Sequence, residues 1–231
     1  MKKIWLLIFC MLILASLDAI GIDQLLRISA ASEASDRTDD SDSSGQTGVD
    51  DFQINNGVPP EQVSSVIREE LMLFPIPISS IHPKYQFSFE DSWMSTRTFG
   101  GDRGHEGTDI MLDPDERGIF PVLSMTDGRI EKKGWLPQGG YRLGIRSTGG
   151  IYYYYAHLYD YAEGIEAGTE IAAGQLLGFA GDSGYSNIEG TVGNFPVHLH
   201  VGIYYNDDTG TETAINPYPF LLSLKKVCVS F

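Results

Sequence analysis

Residues 197–205, Val-His-Leu-His-Val-Gly-Ile-Tyr-Tyr, predict the kind of fold that this chain adopts. Apolar residues occupy every second position at the start of the stretch, a period that is typical of a β-strand with one buried face. In such a strand His198 and His200 project together from the opposite face. Two imidazoles on one face, backed by apolar packing on the other, form a rigid mount for a metal ion or for proton transfer.

Similar short apolar runs recur from Tyr85 onward, and glycine-rich turns separate them. Strands this close together, without long helices between them, favour a mainly β fold built on an antiparallel sheet. The 26 glycines of the chain agree with many turns. Besides the opening stretch, we interpret as strands residues 110–112, 120–123, 128–130, 141–145, 151–155 and 175–180.

The length and charge of the chain limit what it can be. At 231 residues it is long enough for one sizeable domain with appendages, but not for two full domains. Its net charge is -15, and phosphate binding requires a basic surface, so we expect no nucleic-acid partner. Much of the negative charge lies near the N-terminus, outside the predicted strands. The acidity therefore indicates solubility more than it indicates a substrate.

The N-terminus has the features of an export signal. Lys2 and Lys3 precede an apolar run at residues 4–17, which ends at Asp18. A bilayer core needs about 20 apolar residues, so this run is short for a membrane span. We predict that residues 1–22 are either a signal peptide or a membrane anchor, and no clear cleavage site decides between the two.

Composition divides the rest of the chain. Residues 23–58 are rich in Ser, Asp and Gly and are predicted to be a disordered acidic linker. Residues 59–84 are predicted to be a helix and linker, because apolar residues recur at helical spacing from 61 to 74, before two prolines. Residues 85–224 carry the predicted strands and form the main domain, and residues 225–231 are a C-terminal tail.

Four of the five histidines fall in three short motifs. Neutral imidazole and carboxylate are ligands that zinc prefers, and a catalytic zinc site typically has three such ligands and a water. The glycine between His105 and Asp109 would let the backbone bend closely around an ion. Together the motifs predict a zinc site with two histidines to spare. They are His105-Glu106-Gly107-Thr108-Asp109, Tyr155-Ala156-His157-Leu158 and His198-Leu199-His200.

From about residue 93 to residue 221 the chain resembles the lysostaphin-type (LytM-like) family of zinc metallopeptidases, which cleave peptide bonds in peptidoglycan. The resemblance implies that family's antiparallel β-sheet domain, a duplicated-hybrid-motif-like fold, for residues 85–224. The motifs that carry it are Arg97-Thr98-Phe99-Gly100, His105-x-Gly107-x-Asp109, Tyr155-Ala156-His157-Leu158, the turn-rich residues 173–184, His198-Leu199-His200-Val201 and Asn216-Pro217.

The resemblance also implies roles for the five residues of the motifs. It implies that His105, Asp109 and His200 bind one zinc ion. His157 and His198 are implied to be catalytic, beside the zinc-bound water, where they stabilise the oxyanion and move a proton to the leaving amine.

Two features depart from the family pattern. Residues 187–194 form an extra loop that is expected to reshape substrate access. Some members place a tyrosine shortly before the first metal histidine, and Phe99 stands in that position here. Tyr155 is a substitute candidate for contact with the oxyanion or substrate, because it shares a strand face with His157, although ordinary strand packing is the favoured interpretation.

The implied function is that of an exported zinc metalloendopeptidase, which hydrolyses peptide bonds in the stem peptide or cross-bridge of peptidoglycan by means of zinc-activated water. The expected location is the cell envelope, outside the cytoplasm. Peptidoglycan peptides are the expected partners, together with the membrane if the N-terminal segment is retained. Envelope proteins are further candidates.

Other functions stay open at this point. One alternative is a catalytically silent scaffold or activator of wall remodelling in division or sporulation. It is alternatively a latent enzyme, in which the helix at 61–74 or the acidic linker covers the cleft. A sugar-binding module of the cupin type is disfavoured, because Tyr204-Tyr205-Asn206 stands where a glutamate is expected.

Overall fold

The structure is a computed structural model, and it describes residues 57–230. The predicted signal peptide or anchor at 1–22 lies outside the described residues, as does nearly all of the predicted linker at 23–58. Within residues 57–230, no helix is both long and apolar enough to cross a bilayer.

The described residues form a mainly β structure, as the sequence predicts. Two α-helices flank the strands, α1 at Glu61–Glu70 and α2 at Tyr218–Leu224, and a 3₁₀ turn follows at Lys225–Val227. The strands are β1 Gln86–Ser88, β2 Thr96–Arg97, β3 Arg103–Gly104, β4 Thr108–Asp113, β5 Pro121–Leu123, β6 Gly128–Leu136, β7 Gly140–Arg146, β8 Tyr152–Tyr161, β9 Glu170–Ile171, β10 Leu176–Ala180, β11 His198–Asn206 and β12 Glu212–Ile215.

One ten-stranded sheet dominates the fold, in the order β1-β4-β11-β8-β7-β6-β9. β12 pairs with β11, while β10 pairs with both β5 and β8, and β2 and β3 form a separate small sheet. All of these pairings are antiparallel. The predicted antiparallel architecture is therefore confirmed. The strand order brings β4, β8 and β11, which carry the three histidine motifs, side by side.

Alternation along these three strands separates a core from a cleft. Ile110 of β4, Tyr153 and Tyr155 of β8, and Leu199 and Val201 of β11 are all fully buried, at 0% exposure. Each such side chain contributes about 1.5–3 kcal/mol by leaving water. The residues between them face the other side, so the packing of the core fixes where the polar side chains point.

The first helix is shorter than the sequence predicts. It ends at Glu70 instead of residue 74, and Leu71 is already extended. The following residues pair with the core instead, since the backbone N–H of Met72 donates to the carbonyl of Met125. The prolines that follow disfavour helix at the residues before them. Phe74 is consequently buried beside the sheet, stacked on Phe87 with ring centroids 4.7 Å apart.

Candidate metal centre and cleft

Two neighbouring strands bring the predicted zinc ligands together. Asp109 of β4 lies directly opposite His200 of β11 in the ladder. His105 precedes β4, and its backbone N–H donates to the carbonyl of Ser95 while its carbonyl accepts from Met94. These contacts hold the segment before β4 in place. The side chain of His105 therefore lies close to that of Asp109, four residues later in the chain.

The three side chains form a small triangle of ligand atoms. His105 Nε2 lies 3.0 Å from His200 Nδ1 and 3.0 Å from Asp109 Oδ1. His200 Nδ1 lies 2.9 Å from the same oxygen. Among the described residues, these three are the group of His, Cys, Asp and Glu side chains whose ligand atoms converge in this way.

The geometry and chemistry of this triangle fit a zinc ion. Ligands about 2.0–2.1 Å from a tetrahedral zinc are roughly 3.3 Å apart, close to the observed separations. Ring N–H groups can hydrogen-bond to the carboxylate at these distances, and a metal ion bound among the three atoms would replace those protons. Two imidazoles and a carboxylate form a donor set that zinc accepts, and they leave a fourth position open.

Neighbouring groups orient two of these ligands. His105 Nδ1 lies 3.2 Å from the carbonyl oxygen of Ser92, and because a carbonyl only accepts, this contact places a proton on Nδ1 and leaves Nε2 with its lone pair. Arg97 Nη2 donates to Asp109 Oδ2 at 2.8 Å, which leaves Oδ1 for the two rings. Burial acts to raise the pKa of Asp109, but the contacts with His105 and His200 outweigh it and hold that pKa far below its usual range.

Gly107 gives room for the ring of His200. A Cβ atom at this position would lie 2.3 Å from Cε1 of His200 and 2.5 Å from its Nε2. The sequence predicts that Gly107 lets the backbone bend around an ion. The structure shows a different reason, since it is the ligand ring that packs against the bare backbone.

The other two motif histidines lie beside the triangle. The ring centroids of His157 and His198 are 4.7 Å apart, and His198 Nε2 is 3.7 Å from Asp109 Oδ1. His157 Nδ1 donates to the carbonyl of Ser183 at 2.8 Å, and His198 Nδ1 donates to that of Pro196 at 2.8 Å. Each contact with a carbonyl leaves Nε2 as the unprotonated nitrogen of the neutral ring.

A bulge in β8 aims His157 into the cleft. Tyr141 of β7 pairs with Leu158 and Leu143 pairs with Tyr155, so β8 carries one extra residue between these pairs. His157 lies in this bulge and has a positive φ of 62°. Its backbone N–H donates to the carbonyl of Gly139 at 2.8 Å. Burial, together with the neighbouring His198 and His200, holds the pKa of His157 well below 6.5. The ring is therefore neutral at neutral pH.

The bulge also corrects the prediction for Tyr155. Tyr155 and His157 would share a face only in a regular strand. The extra residue of the bulge interrupts the alternation of side chains between them. Tyr155 is fully buried in the core, where its hydroxyl accepts from the N–H of Met125 at 3.0 Å. Tyr154 faces the cleft instead, with its ring 5.9 Å from that of His200.

Aromatic rings that the sequence analysis did not select surround His157. Phe195 lies 4.7 Å from its ring and Tyr185 lies 5.8 Å from it, both edge-on. Phe99 stacks on Tyr185 with ring centroids 5.2 Å apart. Tyr185 and Phe195 bracket the extra loop at 187–194, so the two ends of that loop contact His157. The spacing of these residues in the sequence does not predict the contacts of Tyr185 and Phe195 with His157, because they depend on the tertiary fold.

The metal triangle opens into a cleft of about 470 Å³. Its lining includes His105, His157 and His200, together with Tyr152, Tyr154, Tyr204 and several charged side chains. No residue of α1 lines this cleft. Glu70 of that helix instead accepts from the N–H of Gly149 at 2.6 Å, so the structure contradicts the alternative in which this helix covers the site.

An antiparallel sheet with a two-histidine, one-aspartate cluster defines this molecule as a β protein with a candidate metal site, and comparison with known proteins gives the family. Residues 103–217 match the model of peptidase family M23. The chain belongs to this family, whose members are zinc metallopeptidases.

Three similar proteins place the chain within the family. The L-Ala–D-Glu endopeptidase of Bacillus subtilis (strain 168) is 44% identical over 148 residues, which cover 64% of this chain and 42% of the relative. Lysostaphin of Staphylococcus simulans is 31% identical over 121 residues, which cover 52% of this chain and 22% of lysostaphin. A crystal structure from Ruminococcus gnavus ATCC 29149, described there as a glycyl-glycine endopeptidase lytM, superposes with a TM-score of 0.67 at 45% identity, over 74% of this chain and 66% of that one. The chain thus spans less than half the length of the curated relatives that it matches.

Proposed function

We propose that this chain is a zinc metalloendopeptidase that hydrolyses peptide bonds of peptidoglycan. The observation that carries the proposal is the triangle of His105 Nε2, Asp109 Oδ1 and His200 Nδ1, whose atoms lie 2.9–3.0 Å apart beside two further histidines. A scaffold has no need for five such residues in one cleft, so their presence together supports an enzyme over the silent alternative.

In this proposal His105, Asp109 and His200 hold the metal. When bound, zinc polarises the scissile carbonyl and lowers the pKa of a coordinated water towards 7. Arg97 and the Ser92 carbonyl hold two of the ligands in orientation, since they contact Asp109 Oδ2 and His105 Nδ1.

His157 and His198 move the proton. In the neutral rings each Nδ1 proton is donated to a backbone carbonyl, so each Nε2 is unprotonated. His157 lines the cleft, and His198 Nε2 lies 3.7 Å from Asp109 Oδ1. Burial keeps His157 neutral near pH 7, so its Nε2 is free to accept the proton that the attacking water loses. The protonated ring then donates to the leaving amine. The second ring can donate a hydrogen bond to the developing oxyanion in the form that also carries a proton on Nε2.

The location and the wider assembly are also proposals. We infer that the chain is exported and acts in the cell envelope, with residues 1–22 as its signal peptide or anchor and residues 23–58 as a tether. The relatives are named for different bonds, L-Ala–D-Glu in one case and glycyl-glycine in another. Those names leave the bond cut by this chain open within the stem peptide or the cross-bridge.

Mass spectrometry of the fragments that the full chain releases from purified peptidoglycan tests the proposal. New amino termini that appear with the wild type and not with His200→Ala would support it and would identify the bond. A zinc-loaded wild type that yields no new termini from several wall types would contradict it, and would favour the latent or scaffold alternative.

A further inference from the structure

The cleft beside the metal triangle carries two arginines that the proposed mechanism does not use. Arg103 of β3 and Arg142 of β7 both line it. Neither guanidinium has a carboxylate within 4.0 Å among the residues that the structure describes. In a chain of net charge -15, two arginines without such a partner in one cleft are unusual.

Part of each guanidinium group is also buried without a hydrogen-bond partner. Within residues 57–230, Arg103 Nε and Arg142 Nη1 are buried donor atoms without a hydrogen-bond partner. A buried donor without an acceptor is costly, and more so when the group is charged. Both arginines are only partly buried, so an anionic ligand that contacts the accessible part of each guanidinium would offset part of that cost.

Both arginines act on the same tyrosine. Burial raises the pKa of Tyr154, and the positive charges of Arg142 and Arg103 each act to lower it. Arg142 of β7, Arg103 of β3 and Tyr154 of β8 all line the cleft. The phenol adds a neutral donor to the two charged ones, which is a favourable combination for a carboxylate.

The remaining charges of the cleft do not cancel this pair. Glu212 lines the cleft but accepts from Arg146 at 3.2 Å, and the carboxylate of Glu106 also belongs to the lining. Lys132 adds a third cation. Three cationic and two anionic side chains therefore leave the lining with one net positive charge.

The distance to the metal triangle matches a neighbouring position on a peptide. β8 lies between β7 and β11, so Arg142 is two strand spacings, roughly 10 Å, from the backbone of His200. Arg103 is two residues before His105 in the chain. An extended peptide advances about 3.5 Å per residue. The side chains of Arg103 and Arg142 can therefore contact a substrate group that is one or two residues from the scissile bond.

We propose that Arg103 and Arg142, together with Tyr154, form a subsite for a carboxylate next to the bond that is cut. This deepens the proposed peptidase function and rests on it. The favoured substrate class is a stem peptide that carries a free carboxylate beside the scissile bond, and a neutral glycine cross-bridge is disfavoured.

A matched pair of peptides tests the subsite in the zinc-loaded full chain. Both contain L-Ala-γ-D-Glu-L-Lys, in one with the D-Glu α-carboxylate free and in the other with that group converted to the carboxamide. We expect the wild type to have a kcat/KM about 10–100-fold higher for the carboxylate, as one or two charge-assisted hydrogen bonds provide. Arg142→Gln and Arg103→Gln should each bring this ratio towards one. Arg129→Gln, the same change at a site outside the cleft, should keep it.

Titration calorimetry with the same two peptides separates the two proposals. Wild-type protein that binds the carboxylate more tightly, and loses that preference in Arg142→Gln, supports the subsite even if neither peptide is cut. Cleavage of both peptides with equal kcat/KM overturns the subsite and leaves the peptidase standing. Equal binding without cleavage of either peptide overturns the subsite too. Absence of cleavage from whole peptidoglycan overturns the peptidase alone.

Discussion

His200 and His157 face the same cleft, and substitution should separate what they do. His200→Ala removes one of three ligand atoms, so we expect the zinc content to fall from about one per chain to near zero. His157→Ala leaves the triangle intact, so zinc should stay while the turnover rate falls by about 10²–10⁴, the usual worth of a positioned proton carrier. Elemental analysis and a peptidoglycan release assay on the same preparations measure both. Full activity and full zinc content in both variants would refute the assignment.

Gly107 provides a second test at single-residue scale. Gly107→Ala places a Cβ 2.3 Å from the ring of His200, so that ligand must move and zinc affinity should fall by at least tenfold. Gly164→Ala is the matched control, because Gly164 has φ 78 and nothing within 4 Å of a new Cβ. It should cost stability through backbone strain and leave zinc affinity unchanged. Zinc titration of both variants decides, and equal affinities would contradict the packing argument.

Burial of His157 predicts a pH dependence of stability. Its pKa is lowered below 6.5 in the folded chain, so the unfolded chain binds the proton more readily. The stability from this group is complete above pH 6.5 and is lost as the pH falls below it. In the metal-free protein, His157→Gln should reduce the slope of unfolding free energy against pH by up to about 1.4 kcal/mol per pH unit as the pH falls below 6.5. Denaturant melts at several pH values would show an unchanged slope if the argument is wrong.

The proposed ligands His105, Asp109 and His200 were selected from the sequence and its family resemblance, whereas Tyr154 was not. Spacing alone places His198 and His200 on one strand face and puts Asp109 at the start of a buried strand, and the structure has both features. The role of Tyr154 depends on the bulge at His157, where a non-glycine residue adopts φ 62. No residue type signals such a bulge, because the contact with Gly139 that stabilises it is tertiary.

At the scale of elements, α1 is an anchor to the back of the sheet. Glu70 accepts from the N–H of Gly149 at 2.6 Å and from the Tyr153 hydroxyl at 3.4 Å. Glu70→Ala should therefore lower the free energy of unfolding by about 1–2 kcal/mol, since one of these contacts is a charge-assisted hydrogen bond. Glu69→Ala on the exposed side of the same helix should change it by less than about 0.5 kcal/mol. Zinc content should be normal in both.

Chemical denaturation of these two variants gives the answer. Equal stabilities would show that Glu70 does not hold the helix to the sheet. Loss of zinc in Glu70→Ala would show that the helix supports the site directly, which the cleft lining does not indicate.

Strands were predicted correctly where apolar and polar residues alternate strongly. They were missed where only hydrogen bonding to a neighbouring strand defines them. All seven predicted runs lie in or overlap observed strands. The two-residue strands β2, β3 and β9 were missed, because segments so short have no period to detect and are held by their partners. The end of α1 was predicted too late because a tertiary contact ends the helix. The backbone N–H of Met72 donates to the carbonyl of Met125 instead of to a carbonyl of the helix.

At the scale of the whole molecule, one core supports both ends of the described chain. Ile67, Phe74 and Ile76 from the N-terminal segment pack in the same cluster as Leu221 and Leu224 of α2. The metal triangle therefore stands on two strands of a packed sheet and not on a free loop, except for His105. Strands hold ligand atoms more precisely than loops do, which is what a metal centre requires.

Metal dependence of turnover is the most direct test of the central claim that His105, Asp109 and His200 hold a catalytic zinc. The measurement is the rate at which the full chain releases new amino termini from peptidoglycan, after chelation and then during stepwise addition of zinc. We predict a rate at background after chelation, recovery that is complete at about one zinc per chain, and no recovery in His200→Ala. A chelated wild type that cuts at the original rate, or a His200→Ala variant that recovers with the wild type, would contradict the account.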